Sequence, residues 1–357
     1  MITIVLTNRN RDIQTIKNCL NSLQEQANKE FTLFFVDYGS SPDYLKELKK
    51  VIENYPELKF ISCPVSGQLW NKSRAINIAL QRCTTPYFFV GDVDMLFHTD
   101  FIQKLNLLTD ENSITYFQVG FLNKKETFQN KGFEKSKVAF KSQKEATGMS
   151  LYPTHILKSI NGYDEFYHGW GAEDTDVHVR LFNLGIQVKF YDKEILLKHQ
   201  WHTKIYRTGL SKDPFHFKLE KINNAYLQIS KKTKQRIANK NSLWGKIPKE
   251  EEYNRLNEKT DFIFDIAPED SKINALISHL CNFEHKIISV IITDVSTRSK
   301  IKQFVKKMCG KKYLSYLKMR SINDLLLHEI IMRYRNLPYQ YSYDERKKVI
   351  EFKIYFS

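Results

Sequence analysis

The chain reads as an α/β protein: a mixed, mostly parallel sheet flanked by helices, followed by a smaller C-terminal α/β unit. Three observations predict this. Strand-like and helix-like segments alternate through residues 1–122, which implies a largely parallel sheet with helices on both faces. The run Tyr87-Phe88-Phe89-Val90 leads into the carboxylates of Asp92 and Asp94, as a buried strand does where its C-terminal end meets a ligand crevice. After Phe215 the chain turns lysine-rich, and a second alternation begins at residue 261.

Taken in order, residues 2–7 are an apolar strand. Residues 13–26 carry Ile13, Ile16, Leu20 and Leu23 on one helical face. Strand 31–37, helix 44–54, strand 58–63, helix 72–82 and strand 87–90 follow, then helix 101–108 and one strand over 114–122. Residues 123–146 are rich in Lys, Glu, Gln and Asn and read as a solvated insertion or a lid. An apolar pattern returns at 147–153, helical spacing at 175–184 and a strand at 188–191. The expected domains are 1–214, a helical linker over 215–260, and a basic unit over 261–357. In that unit we expect strands at 262–266, 286–293 and 349–356 and helices at 271–281, 297–308 and 323–333.

With 357 residues and 42% hydrophobic content, the chain has ample core. Its five cysteines form no C-x-x-C pair, which argues against a structural zinc site or a disulfide framework and fits a reducing compartment. No secretory leader is read at the N-terminus, and no run reaches the ~18–20 apolar residues of a membrane span. A cytoplasmic location, with peripheral contact at the inner face of the membrane, is the expectation. The net charge is +15, and residues 286–357 hold 16 Lys and Arg against 6 Asp and Glu. An acidic partner for the tail follows. On 297–316, lysines interleave with Ile301, Phe304, Val305 and Met308. These apolar residues either pack into the unit or, with the lysines, suit an anionic membrane. No nucleic-acid-binding motif is present.

Polar groups gather where the strands end: Thr7-Asn8-Arg9 after the first, Asp37 after the second, and Asn71, Lys72 and Arg74 at the start of a helix. Each is ordinary turn and capping chemistry when taken alone. At one end of one sheet they describe a nucleotide crevice, with Asp37 meeting a base or ribose and Lys72 or Arg74 meeting phosphate. Alternate residues of an extended segment point the same way, so Asp92 and Asp94 can face one ligand with Cα atoms roughly 6–7 Å apart. A hard divalent cation, Mn²⁺ or Mg²⁺, carrying a diphosphate offsets their repulsion. Downstream, Gly169-Trp170-Gly171-Ala172 precedes Glu173, Asp174 and Asp176 at a helix start. Glycines admit close backbone approach, and the Trp170 face suits a sugar ring. His199 and His202 lie three apart and can reach one metal.

In order, Thr-Asn-Arg, V-D-Y-G-S-S, N-K-S-R-A-I-N, G-D-V-D-M, N-G-Y-D-E and G-W-G-A-E-D-T-D together resemble glycosyltransferases of the GT-A fold, specifically family 2 and the β-1,4-galactosyltransferase-like group. The resemblance covers about residues 1–205. It implies that Asp94 binds metal, that Asp92 contacts ribose or the metal shell, that Asp174 is the catalytic base and that Glu173 positions the acceptor. The galactosyltransferase-like group completes its metal site with a Met-x-x-His pair; here His199 stands in the Met place and His202 in the His place. Tyr38 replaces a second acid that many members carry.

The expected function is therefore an inverting, metal-dependent glycosyltransferase. It would move a hexose or N-acetylhexosamine from a UDP-sugar to a hydroxyl of an oligosaccharide or lipid-linked glycan, in bacterial surface polysaccharide synthesis. Two alternatives stand beside it. A nucleotidyltransferase making the activated sugar would want a glycine-rich phosphate loop after the first strand, and residues 7–12 contain no glycine. A non-catalytic GT-A-like glycan binder would not need Asp92, Asp94 and Asp174 together.

Overall fold

The computed structural model describes residues 1–203 and 216–357. The expected boundary at 214 lies outside the described residues. The chain forms two units. The first holds residues 1–63 and 70–203 with the segment 219–247; the second holds 64–69 and 248–357 with 216–218.

The first unit alternates as its periodicity predicts: β1 (Ile2–Asn8), α1 (Ile13–Gln24), β2 (Phe31–Tyr38), α2 (Pro42–Ile52), β3 (Leu58–Cys63), α3 (Lys72–Arg82) and β4 (Tyr87–Asp92). Then come β5 (Met95–Phe97), α4 (Phe101–Leu107), β6 (Ser113–Phe117), β7 (Val119–Leu122), α5 (Lys124–Phe128), α6 (Gly132–Lys135), β8 (Val138–Lys141), β9 (Ser150–Pro153), α7 (Thr154–Ser159), α8 (Glu173–Asn183), β10 (Gln187–Tyr191), β11 (Leu197–His199) and α9 (His216–Lys232). The main sheet runs β10-β6-β9-β4-β1-β2-β3. All its pairs are parallel except those of β9, which is antiparallel to both β4 and β6. β1 is buried along its whole length. Phe89 contacts Phe97, Phe101 and Phe117 edge-on at centroid distances of 5.1–6.4 Å, so the strand that delivers Asp92 is anchored in an aromatic core.

Three expectations need correction. The single strand over 114–122 is two strands in two sheets. β6 stays in the main sheet, while β7 joins a second sheet of order β5-β11-β7-β8. Residues 123–146 are mostly exposed, as expected of a solvated insertion, but they are regular structure and not a loop. They supply α5, α6 and β8, and Ser142 Oγ accepts a hydrogen bond from Val119 N at 2.9 Å. Lys198 Nζ donates to Phe133 O and Ser136 O, the latter at 2.9 Å. Backbone groups that short polar strands expose must be paired somewhere, and here the second sheet pairs them. Finally, α9 packs within the first unit: Asn223 Nδ2 donates to His168 O, and Tyr226 OH to Asp164 Oδ2.

The second unit comprises α10 (Glu250–Asn254), β12 (Phe262–Ile266), α11 (Asp270–Leu280), β13 (Lys286–Thr293), α12 (Thr297–Met308), α13 (Met319–Glu329), β14 (Tyr339–Asp344) and β15 (Val349–Phe356). Its sheet order is β12-β13-β15-β14. β12 is parallel to β13 and the other pairs are antiparallel. The sequence reading missed β14. α13 begins four residues earlier than expected, because Met319 and Ile322 are buried. No described helix is long and apolar enough to cross a membrane.

Candidate active site

The site grows from the carboxyl edge of the main sheet. Parallel register sets Thr7 beside Asp92 and Asn8 beside Asp37, so three strand ends share one edge. After β4 the chain turns directly into β5, and β5 pairs antiparallel with β11. In that register His199 faces Met95, and Gln200 N donates to Asp94 O at 2.8 Å. A three-residue strand pairing therefore carries the histidines to Asp94.

Asp94 is buried, 4% exposed. Its Oδ2 lies 3.1 Å from Arg11 Nη2, 3.4 Å from His202 Nε2 and 3.7 Å from His199 Nε2. Its other oxygen, Oδ1, is buried without a hydrogen-bond partner. Burial alone would push the Asp94 carboxyl up, but His199, Arg11 and His202 outweigh it and hold it below the usual carboxylate range. Burial pulls the His199 imidazole down, which favours the neutral form that ligates metals. His202 Nδ1 donates to Thr203 O at 3.1 Å, leaving Nε2 to face the carboxylate. The ligand atoms of Asp94, His199 and His202 lie within 4.8 Å of one another. One carboxylate with an orphaned buried oxygen and two imidazoles fit a divalent cation. The 123–146 segment supports this corner: Thr127 Oγ1 accepts from Trp201 N, between the two histidines, at 2.8 Å.

The second half of the site begins at α8. Gly169, Gly171 and Ala172 all have positive φ, at 73°, 97° and 77°. For Ala172 that is a strained conformation, and it sets the angle at which α8 starts. The three acids of the first turn then separate by role. Asp176 is structural: fully buried, it pairs with Arg180 Nε at 2.6 Å and accepts from Tyr167 OH and Ser230 Oγ. Arg180 in turn donates to Ile160 O and Gly162 O. Glu173 and Asp174 face Lys72 instead. Lys72 Nζ lies 3.1 Å from Asp92 Oδ1, 3.3 Å from Asp174 Oδ2 and 3.8 Å from Glu173 Oε1. One ammonium thus joins the D-V-D turn to the E-D turn.

The charges are mutually dependent. Burial works against the Lys72 ammonium, but Asp174, Asp92 and Glu173 outweigh it and hold its pKa well above the usual lysine value. Burial, helped by Glu173 and Asp92 and opposed by Lys72, pushes the Asp174 carboxyl up to about 7. Asp174 Oδ1 has no hydrogen-bond partner. A carboxylate poised near neutrality with one unused oxygen is suited to taking a proton.

The remaining expected residues sit elsewhere in this framework. Asp37 is 1% exposed and accepts from Asn8 Nδ2 at 2.7 Å and Ser40 Oγ at 2.6 Å, so it braces the β1 and β2 ends. Asn8, Thr7 and Asn71 are buried as well. Asn71 caps α3 by accepting from Arg74 N, and donates to Glu165 O. The Arg74 guanidinium is buried and reaches Lys246 O at 3.3 Å. Arg9 and Trp170 are half-buried, and Asn223 Nδ2 donates to Trp170 O. Two contributors escaped the sequence reading. Arg11 follows the Thr-Asn-Arg cluster closely enough to have been included. Gly148 gave no signal; a Cβ there would come within 3.1 Å of Asp174 Oδ2.

Comparison with known proteins gives two family matches. Residues 3–157 match the family described as glycosyl transferase family 2, and residues 129–204 match the family described as N-terminal domain of galactosyltransferase. The teichoic acid poly(glycerol phosphate) polymerase of Staphylococcus epidermidis is 32% identical over 94 residues, 26% of this chain and 12% of that protein. Human chondroitin sulfate synthase 3 is 25% identical over 183 residues, 48% of this chain and 20% of that protein. The chain thus spans a fifth or less of these relatives. Among solved structures, S. aureus TarS 1–349 in complex with UDP-GlcNAc is similar at 15% identity and a TM-score of 0.46, over 65% of this chain and 69% of that one. The two overlapping family matches together span residues 3–204, the segment whose motifs resemble family 2 and galactosyltransferase-like glycosyltransferases.

Proposed function

We propose that the protein is an inverting glycosyltransferase that moves a hexose or N-acetylhexosamine from a UDP-sugar to a hydroxyl of a glycan acceptor. The observation that carries this reading is Asp174, placed by a strained turn 3.3 Å from a lysine that also holds Asp92. In the reaction the acceptor hydroxyl loses its proton to the Asp174 carboxylate. Its oxygen forms the new bond to the anomeric carbon as the bond from that carbon to the diphosphate oxygen breaks. The diphosphate leaves with the electron pair. A single displacement with one base inverts the anomeric centre. Lys72, next to the donor-side acid, places a positive charge where the leaving group gathers negative charge. Glu173 stands beside the base and orients the acceptor.

Asp94, His199 and His202 would hold Mn²⁺ or Mg²⁺, which when bound supplies positive charge to the departing diphosphate. Calorimetric titration with Mn²⁺ is expected to give one site, abolished by Asp94→Ala and weakened about tenfold or more by His202→Ala or His199→Ala. Undiminished Mn²⁺ affinity in Asp94→Ala would remove the metal from this reading. The names of the relatives, a teichoic acid polymerase and a chondroitin sulfate synthase, support a surface or extracellular polysaccharide as acceptor. A panel of nucleotide sugars, scored for metal-dependent release of the nucleoside diphosphate, tests the donor. The anomeric configuration of the product by NMR tests inversion; a retained anomer would overturn the mechanism.

A further inference from the structure

We infer that α12 and the turn that follows it form a docking surface for an anionic lipid bilayer. Helices of small α/β units normally bury one face on the sheet. α12 buries no side chain at all. Its apolar residues recur at i, i+3, i+4 and i+7, one stripe of the helix. That stripe is open: Ile301 is 58% exposed, Phe304 63%, Val305 52% and Met308 73%. Leu314 N donates to Gln303 Oε1 at 2.9 Å, which folds the next segment back beside the helix and adds the exposed Tyr313 and Leu314. Contiguous exposed apolar surface of this kind marks an interaction site.

The charge pattern identifies the occupant. Residues 295–323 contain nine Lys and Arg and no acidic residue. At 100° per residue, Arg298 and Lys302 fall on one flank of the apolar stripe, and Lys300 and Lys307 on the other. Lys300 also meets Asp294 at 2.8 Å. Long cationic side chains on both flanks of an apolar stripe can rise to headgroup phosphates while the stripe enters the acyl boundary. A second copy does not fit, because face-to-face contact sets nine cations against nine. A nucleic acid does not use the apolar stripe, since its affinity comes from the phosphates. An anionic bilayer satisfies both features, and this inference is independent of the reaction proposed above.

Flotation of the full chain tests it. The probe is vesicles of equal parts phosphatidylglycerol and phosphatidylcholine at low salt, with phosphatidylcholine vesicles and soluble heparin as comparisons. The protein is expected to float with the anionic vesicles and to remain unbound with the neutral ones. Ile301→Ser with Phe304→Ser should lower partitioning at least about tenfold. Lys302→Gln with Lys307→Gln should lower it about fivefold per cation. None of these side chains is buried, so the fold tolerates the changes, and circular dichroism verifies it. Absence of flotation overturns the inference. So does flotation that both variants retain, which would place the contact elsewhere. Heparin binding that depends on the lysines alone, without vesicle binding, would assign the surface to a soluble polyanion instead.

Discussion

Asp174→Asn is expected to lower the transfer rate by about 10²–10⁴-fold, the usual cost of losing a general base, with donor affinity nearly unchanged. The substitution keeps shape and removes basicity. Asp174 Oδ1 makes no hydrogen bond, so the new amide displaces no existing partner. Its Oδ2 contact with Lys72, at 3.3 Å, can be kept by the amide oxygen. The sign of the pH dependence follows from the carboxyl's position. It is raised to about 7, chiefly by burial, and only the ionised form accepts a proton. The wild-type rate should therefore rise with pH through about 7 and level off above it. In Asp174→Asn that limb should disappear. A variant that keeps more than about a tenth of the rate, or keeps the limb, would move the role to Glu173. Donor binding measured alongside separates a lost base from a lost crevice.

The long elements of the first unit were legible because each repeats its period for six residues or more. β1 to β4, with the helices between them, emerge from apolar runs and helical faces alone. The second sheet was not legible. β5 and β11 have three residues each and β7 and β8 four, too short for alternation to stand above chance. Yet the β5–β11 register is what sets His199 beside Asp94. The histidines were thus readable as candidates only through their residue type and spacing. Residues 123–146 are solvated at their side chains, as their polar composition suggests, but composition does not show that their backbone pairs with β7 or that their Thr127 holds Trp201. The acids after Gly-Trp-Gly were visible as a group, but their division was not. Asp176 faces Arg180 inside the unit while Asp174, two residues earlier, faces the cleft, a consequence of the 100° step of a helix. Likewise residue type did not show that Arg74 reaches Lys246 O or that Asp37 accepts from Asn8 and Ser40.

Lys72→Met is expected to shift the pH limb of transfer to higher pH, by about one to two units, and to lower the rate at neutral pH about 10–100-fold. Lys72 is 13% exposed at its side chain and meets three carboxylates at 3.1, 3.3 and 3.8 Å. Methionine matches the aliphatic stem and removes the charge. The three acids then face one another without a cation between them, and like charges oppose ionisation. Lys72 is also the group that pulls the Asp174 carboxyl down, against burial, Glu173 and Asp92. Its loss therefore raises that carboxyl further, and the base becomes active only in more alkaline solution. Part of the lost rate should return as pH is raised. Lys72→Arg keeps the charge and should leave the limb near its wild-type position, although the planar guanidinium reaches the three acids differently. A competing role is available to the same ammonium, since it also lies next to the donor-side acid. If Lys72 served only the diphosphate, Lys72→Met would raise KM for the donor and leave the limb where it was, and that result would dissolve the link between Lys72 and the base.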